Sequence, residues 1–221
     1  MRLNSFGGPL TSAQLEEITN LPKEIVSGFL VKLENLGEIL GRVTLSPQQV
    51  SHLFVQLRDT EELKFSEMKY LRINISQVAP DVLADVIVTQ LEDVDLTLSA
   101  APTPEQLAAI FTVLASQQIG DFKLKHLQFE KLDMTAISPE NLVKGIQKLE
   151  KTRFDQIKLT GDQINAMLSM ISEGHHGRLN TLFIDHPDVV GTISPTLLQS
   201  AKEIGGHQFS PQNTPAEPGT I

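Results

Sequence analysis

Apolar positions recur along this chain in two alternating rhythms. Val50, Leu53, Phe54 and Leu57 follow the i, i+3, i+4, i+7 spacing of one helical face. Leu107, Ile110, Phe111 and Leu114 repeat it, and so do Ile164, Met167, Leu168 and Ile171. A second, shorter helical group carries Leu83, Val86 and Ile87 in one copy and Leu142 and Ile146 in another. Between the helices stand short segments of the form apolar-x-x-apolar-x-apolar, with the period-2 ending of a strand. They begin at Leu33, Met68, Leu91, Leu124, Leu149 and Leu179.

The helix starts are periodic as well. Ser/Thr-x-x-Gln followed by an apolar residue occurs at Thr11, Ser46, Thr103 and Thr160, and the glutamines at 49, 106 and 163 are 57 residues apart. The hydroxyl is placed to accept from the third helical N–H while the glutamine returns a bond, which is a capping box. A second series is set by Pro22, Pro80, Pro139 and Pro195, each with an apolar residue three positions later. Ser138 and Ser194 are its expected N-caps, and Pro47 and Pro104 fill the first helical position of the other series, where a missing N–H costs nothing. A period near 57 residues holding two unlike half-units is the result. Strand and helix alternate with short connections, which predicts parallel strands covered by helices on one side.

With that period, the LxxLxL segments and one helix per unit, the chain resembles the ribonuclease-inhibitor-like class of leucine-rich repeats over residues 10–204 or so. The resemblance implies an α/β fold: a curved solenoid, parallel strands on the concave face and helices on the convex face. It implies one array over residues 1–204, of about six strand–helix units with a helical start at Thr11–Asn20, then a disordered or frayed tail over 205–221. Family repeats place Asn or Cys a few residues after the strand to satisfy turn backbone. Here those stretches read Ile75-Ser-Gln, Leu132-Asp-Met134, Ile157-Lys-Leu159 and His186-Pro187, with no such ladder.

Composition narrows the function classes. The chain has no cysteine, so thiol catalysis and cysteine-ligated metal are excluded, and a cytoplasmic setting is expected. A net charge of −9 argues against nucleic acid as the main partner. No apolar run reaches the roughly 20 residues of a membrane span. Neither a phosphate loop nor a nucleophile elbow is present. Stacking could bring His126 near His186, but a metal site needs three or four converging ligands, so no metal or cofactor is expected. Glu92, Asp93 and His126 are the candidates for acid–base chemistry, although no motif supports an enzyme.

The outward strand positions are the surface that such repeats use for binding. One strand set reads acidic, with Glu34, Glu92, Asp93, Asp95, Glu150 and Asp155, and includes Arg153. The other is mixed or basic, with Lys69, Tyr70, Arg72, Lys125, His126 and Gln128, then Asn180, Thr181, Phe183 and Asp185. Cross-strand pairs such as Arg72 with Asp95 or Lys125 with Glu150 are within reach, and Tyr70 and Phe183 are the candidate anchors. The expected function is a non-enzymatic scaffold that binds a protein partner through this face. The alternative is a structural, sensor or autoinhibitory segment of a longer array; a monomer or part of such an array is expected.

Overall fold

The computed structural model describes residues 44–59, 67–68, 73–97, 100–118, 120–202 and 208–210. The expected helix at Thr11–Asn20, the segment opening at Leu33 with Glu34, and Lys69, Tyr70 and Arg72 lie outside these. The chain is a mixed α/β protein built on a parallel sheet. Its helices are α1 (Pro47–Arg58), α2 (Pro80–Asp85), α3 (Pro104–Ser116), α4 (Pro139–Ile146), α5 (Gly161–Ser172) and α6 (Pro195–Lys202). Its strands are β1 (Glu67–Met68), β2 (Asp93–Thr97), β3 (His126–Glu130), β4 (Lys151–Asp155), β5 (Lys158–Thr160), β6 (Thr181–Asp185), β7 (Asp188–Val190) and β8 (Gln208–Ser210).

The main sheet runs β1-β2-β3-β4-β6-β8, in chain order and parallel throughout. Register is fixed by the apolar pattern, since slipping one residue would turn every inward side chain outward. Leu127, Thr152 and Leu182 therefore stand side by side, as do Leu96, Phe129, Phe154 and Ile184. These inward residues are buried, along with Leu91, Leu124, Leu149 and Leu179 that precede the strands. The helical stripes of α1, α3 and α5 meet them in one continuous core. At its centre Phe129 lies 5.8 Å from Phe111 of α3 and 5.9 Å from Phe154, ring centre to ring centre.

Thr152 interrupts this core. Its neighbours in register are leucines, yet it is fully buried and its hydroxyl has no hydrogen-bond partner. An unpaired buried hydroxyl costs on the order of 1–3 kcal/mol. Thr152→Val should therefore raise the free energy of unfolding by about 1 kcal/mol, measured by urea denaturation; a variant less stable than the parent would show that the hydroxyl is satisfied.

The capping boxes form at all three predicted described sites. Ser46, Thr103 and Thr160 accept from the N–H groups of Gln49, Gln106 and Gln163, whose side chains accept in return. Ser138 caps α4 through Asn141 N, and Ser194 accepts from Leu197 N. The α2 segment has a different outcome from a plain helix. From Pro80 to Leu91 there are 11 steps, against 10 from Pro139 to Leu149 in the equivalent unit. The extra residue coincides with a π-helical turn at Val86–Gln90.

Three features are not visible in the pattern. Lys131, Gln156 and His186 follow β3, β4 and β6 directly, and all three adopt left-handed backbone with φ of 58°, 52° and 49°. Each stands at the turn into a second, shorter ladder in which β5 pairs with β7, extended by a bridge from Asp133 to Lys158. Asn74 and Asp133 brace the turns there, each accepting from the backbone and hydroxyl of the Ser or Thr two residues on. Finally, the tail expected from residue 205 contains β8, whose residues 208–210 pair with 183–185 of β6. The outer edge of β6 offers unpaired N–H and C=O groups, and a strand laid there satisfies them.

Candidate interaction face

Over β3, β4 and β6 the outward face of the main sheet carries half-exposed or exposed side chains, whereas on β2 it is buried at Asp95. Four rows of side chains cross it in register. Glu92, Lys125, Glu150 and Asn180 lie at the entrance to the strands. Then come Asp93, His126, Lys151 and Thr181, followed by Asp95, Gln128, Arg153 and Phe183. Thr97, Glu130, Asp155 and Asp185 close the series. Adjacent strands in any sheet lie roughly 4.8 Å apart, so charges in one row are direct neighbours.

Those charges largely neutralise one another. Lys125 Nζ lies 2.9 Å from Glu92 Oε2, and Arg178 Nη2 donates to Glu150 Oε1 at 2.7 Å. The anticipated pairing of Lys125 with Glu150 is thus replaced. Glu150 is taken by the Arg178 guanidinium, which arrives from the loop before β6, and Lys125 turns back to Glu92. His126 Nδ1 sits 3.5 Å from Asp93 Oδ2, and Arg153 Nη2 reaches Asp185 at 3.4 Å and Asp155 at 3.6 Å. Lys131 pairs with Glu130 at 2.8 Å.

The titration of the first pair follows from this geometry. The hydrogen bond from Lys125, then its charge, holds the Glu92 carboxyl below its usual range. The same bond and the Glu92 charge push the Lys125 amine up. The Glu92 contribution is lost as pH falls through its lowered folded value, and the Lys125 contribution as pH rises through its raised one. Both groups face solvent, so the stabilisation is small and salt-sensitive.

Two of the sequence assignments change. Asp95 was expected to face a partner but is buried, 4% exposed; a buried carboxylate must be held by groups of the fold itself and does not serve an open surface. The strand set assigned as acidic is not acidic at β4. Its outward residues are Lys151, Arg153 and Asp155, with Lys151 exposed. Lys151 is a further outward residue of this face, turned outward by the frame Leu149-x-x-Thr152-x-Phe154. Phe183 is half-buried beside Arg153 rather than fully presented.

Among the acid–base candidates, Asp93 and His126 are brought together by register, while Glu92 is engaged by Lys125. His126 opens β3 and His186 follows β6, and among the described residues no three His, Asp or Glu side chains converge as a metal site. No described helix is long and apolar enough to cross a membrane. Comparison with protein families matches no family model, and comparison with curated proteins finds no match.

Proposed function

We propose that this protein is a non-enzymatic interaction module of the leucine-rich-repeat type, similar to the ribonuclease-inhibitor-like class. In this reading the sheet lines the concave side of a curved array, the helices lie outside, and a protein partner docks on the strand face. The observation that carries the reading is the split of the sheet into two faces. Inward residues on β3, β4 and β6 are buried and, Thr152 apart, apolar, while the outward ones are half-exposed or exposed and, Phe183 apart, polar. A parallel sheet is ordinarily covered on both faces; one left open over several strands is a preorganised platform, which lowers the ordering cost of association.

The paired state of the acidic side chains favours binding over catalysis. Glu92, Asp93, Glu150, Asp155 and Asp185 each have a basic neighbour within 4.0 Å, as a mixed-charge recognition surface would. The test is site-specific photo-crosslinking in the native cells. A crosslinker at Gln128 on the strand face should yield a discrete protein adduct, and one at Glu140 on exposed α4 should not. Adducts from Glu140 alone would move the interface to the helices and end this reading.

A further inference from the structure

The ion pairs on the strand face are unevenly distributed, and among the described residues Lys151 is the cation they leave over. Lys151 is exposed and makes no ion pair among the described residues. Arg153, two residues on and on the same face, spends a single nitrogen, Nη2, on two long contacts, while its Nε is buried without an acceptor. A guanidinium has five donors in a fixed fork, so the contacts at Nη2 leave donors over. Around these two cations the register sets His126 and Thr181 beside Lys151, and Gln128 and Phe183 beside Arg153. In a chain of net charge −9, this is a local patch of hydrogen-bond donors centred on the uncompensated Lys151, with Asp93, Asp155 and Asp185 at its margins and one half-exposed aromatic ring beside it.

We propose, resting on the interaction-module reading above, that this patch on β4 binds an extended acidic peptide segment of the partner protein, with an apolar side chain packed on Phe183. Charge complementarity names the occupant: the available groups are donors and cations, and carboxylates are their natural acceptors. Spacing names its conformation. Residues i and i+2 of a strand are about 6.7 Å apart, and an extended peptide repeats the same interval. Two alternate carboxylates of one segment can therefore face Lys151 and Arg153 together. Phe183 is about 4.8 Å to the side of Arg153 across the strands, where it can take an adjacent apolar group.

The flanking rows set direction. Glu130, Asp155 and Asp185 lie side by side at the strand ends, where Lys131 and Arg153 already engage them, so that row has less to offer a further carboxylate than Lys151. The row at strand entry alternates in sign through Glu92, Lys125 and Glu150 and is neutralised by Arg178. The acidic end of the bound segment thus lies over Lys151, toward the strand entrances.

The decisive experiment is an NMR titration of the full chain with three synthetic probes of equal length. One alternates glutamate with phenylalanine, one replaces each glutamate by lysine, and one is a uridine oligonucleotide. The acidic peptide should shift the amides of His126, Lys151, Arg153, Thr181 and Phe183 saturably. Lys151→Glu should weaken it about tenfold or more by placing like charge in the patch. Because Lys151 is exposed and unpaired, that variant should keep its melting temperature. Stronger binding of the lysine peptide on this face would overturn the acidic assignment while leaving the interaction face in place. Stronger binding of the oligonucleotide would reassign the patch to phosphate. Shifts confined to helix amides would remove the strand face and this proposal together. No shift with any probe would also overturn the acidic assignment.

Discussion

Replacing Gln163 by leucine should lower the free energy of unfolding by about 3 kcal/mol, since three backbone groups lose their partner at once. Its Oε1 accepts from Thr160 N at 2.7 Å, closing the capping box of α5. Its Nε2 donates to Met134 O at 2.8 Å and Ile137 O at 2.6 Å, both in the turn after β3 in the preceding unit. The side chain is fully buried, so water cannot replace the bonds. Gln106 repeats the arrangement one period earlier, with Thr103 N on one side and Ile75 O and Val78 O on the other. Thr160→Ala isolates the cap, which is worth about 1 kcal/mol, so the excess loss in Gln163→Leu measures the bridge between units. Urea denaturation of the two variants decides it. Equal losses would mean that the two carbonyls are satisfied another way.

Gln163→Glu sharpens the point. The carboxylate would keep the acceptor toward Thr160 but face two carbonyl oxygens, and burial would raise its folded pKa above the unfolded value of about 4.3. Below the unfolded pKa the acid is protonated in both states and can still donate one bond. Stability should then fall as pH rises above the unfolded value toward the raised folded one, whereas the leucine variant should show no such added dependence.

These glutamines explain what the sequence could and could not disclose. The period placed them at the third helical position, where the capping box accounts for half of their bonding. Their other half reaches carbonyls 26 to 31 residues away, and a local pattern carries no such information. Where the family resemblance calls for Asn or Cys after the strand, this chain satisfies the turn from the next helix instead. The strands, the helical stripes and the parallel arrangement were legible because burial enforces periodicity at every position of an element. The β5–β7 ladder was not, being three residues per strand and entered through left-handed Lys131, Gln156 and His186, residue types with no turn signal. Lys148 was hidden for a similar reason. Its amine caps α3 by donating to the carbonyls of Leu114, Ala115 and Gln117, a partnership set by packing between units. Burial, with the charge of Lys144, pushes that amine down.

On the open face the alternation predicted which residues point outward but not how they pair. Side chains as long as Lys125 and Arg178 choose among several carboxylates within reach. Arg178 lies outside the strand pattern altogether, so its claim on Glu150 could not be anticipated. That choice leaves Lys151 as the uncompensated charge on β4.

The period also invites a substitution that the packing forbids. Pro occupies the first position of α1, α3 and α4, and Gly161 stands there in α5. By helix-start logic alone, Gly161→Pro should stabilise by roughly 0.4–1 kcal/mol, since proline is preorganised at that site and restricts the unfolded chain. The structure predicts the opposite. The backbone of Thr192, just beyond β7, crosses the start of α5 so closely that a Cβ on residue 161 would collide with Thr192 N, C and O. That crossing is held in place: Asn165 Nδ2 donates to Thr192 O at 3.1 Å, and its Oδ1 accepts from Ser194 N at 2.8 Å. Neither partner is the flexible end of a side chain, so relief requires moving the loop and surrendering these bonds. Gly161→Ala should cost about 3 kcal/mol, at the upper end for overpacking, and Gly161→Pro at least as much. The readout is the unfolding midpoint of each variant, with Asn165→Ala added to free the loop. Releasing the loop should recover part of the loss, because the two sites act on one contact. A stabilised proline variant would mean that the chain beyond β7 does not lie across α5.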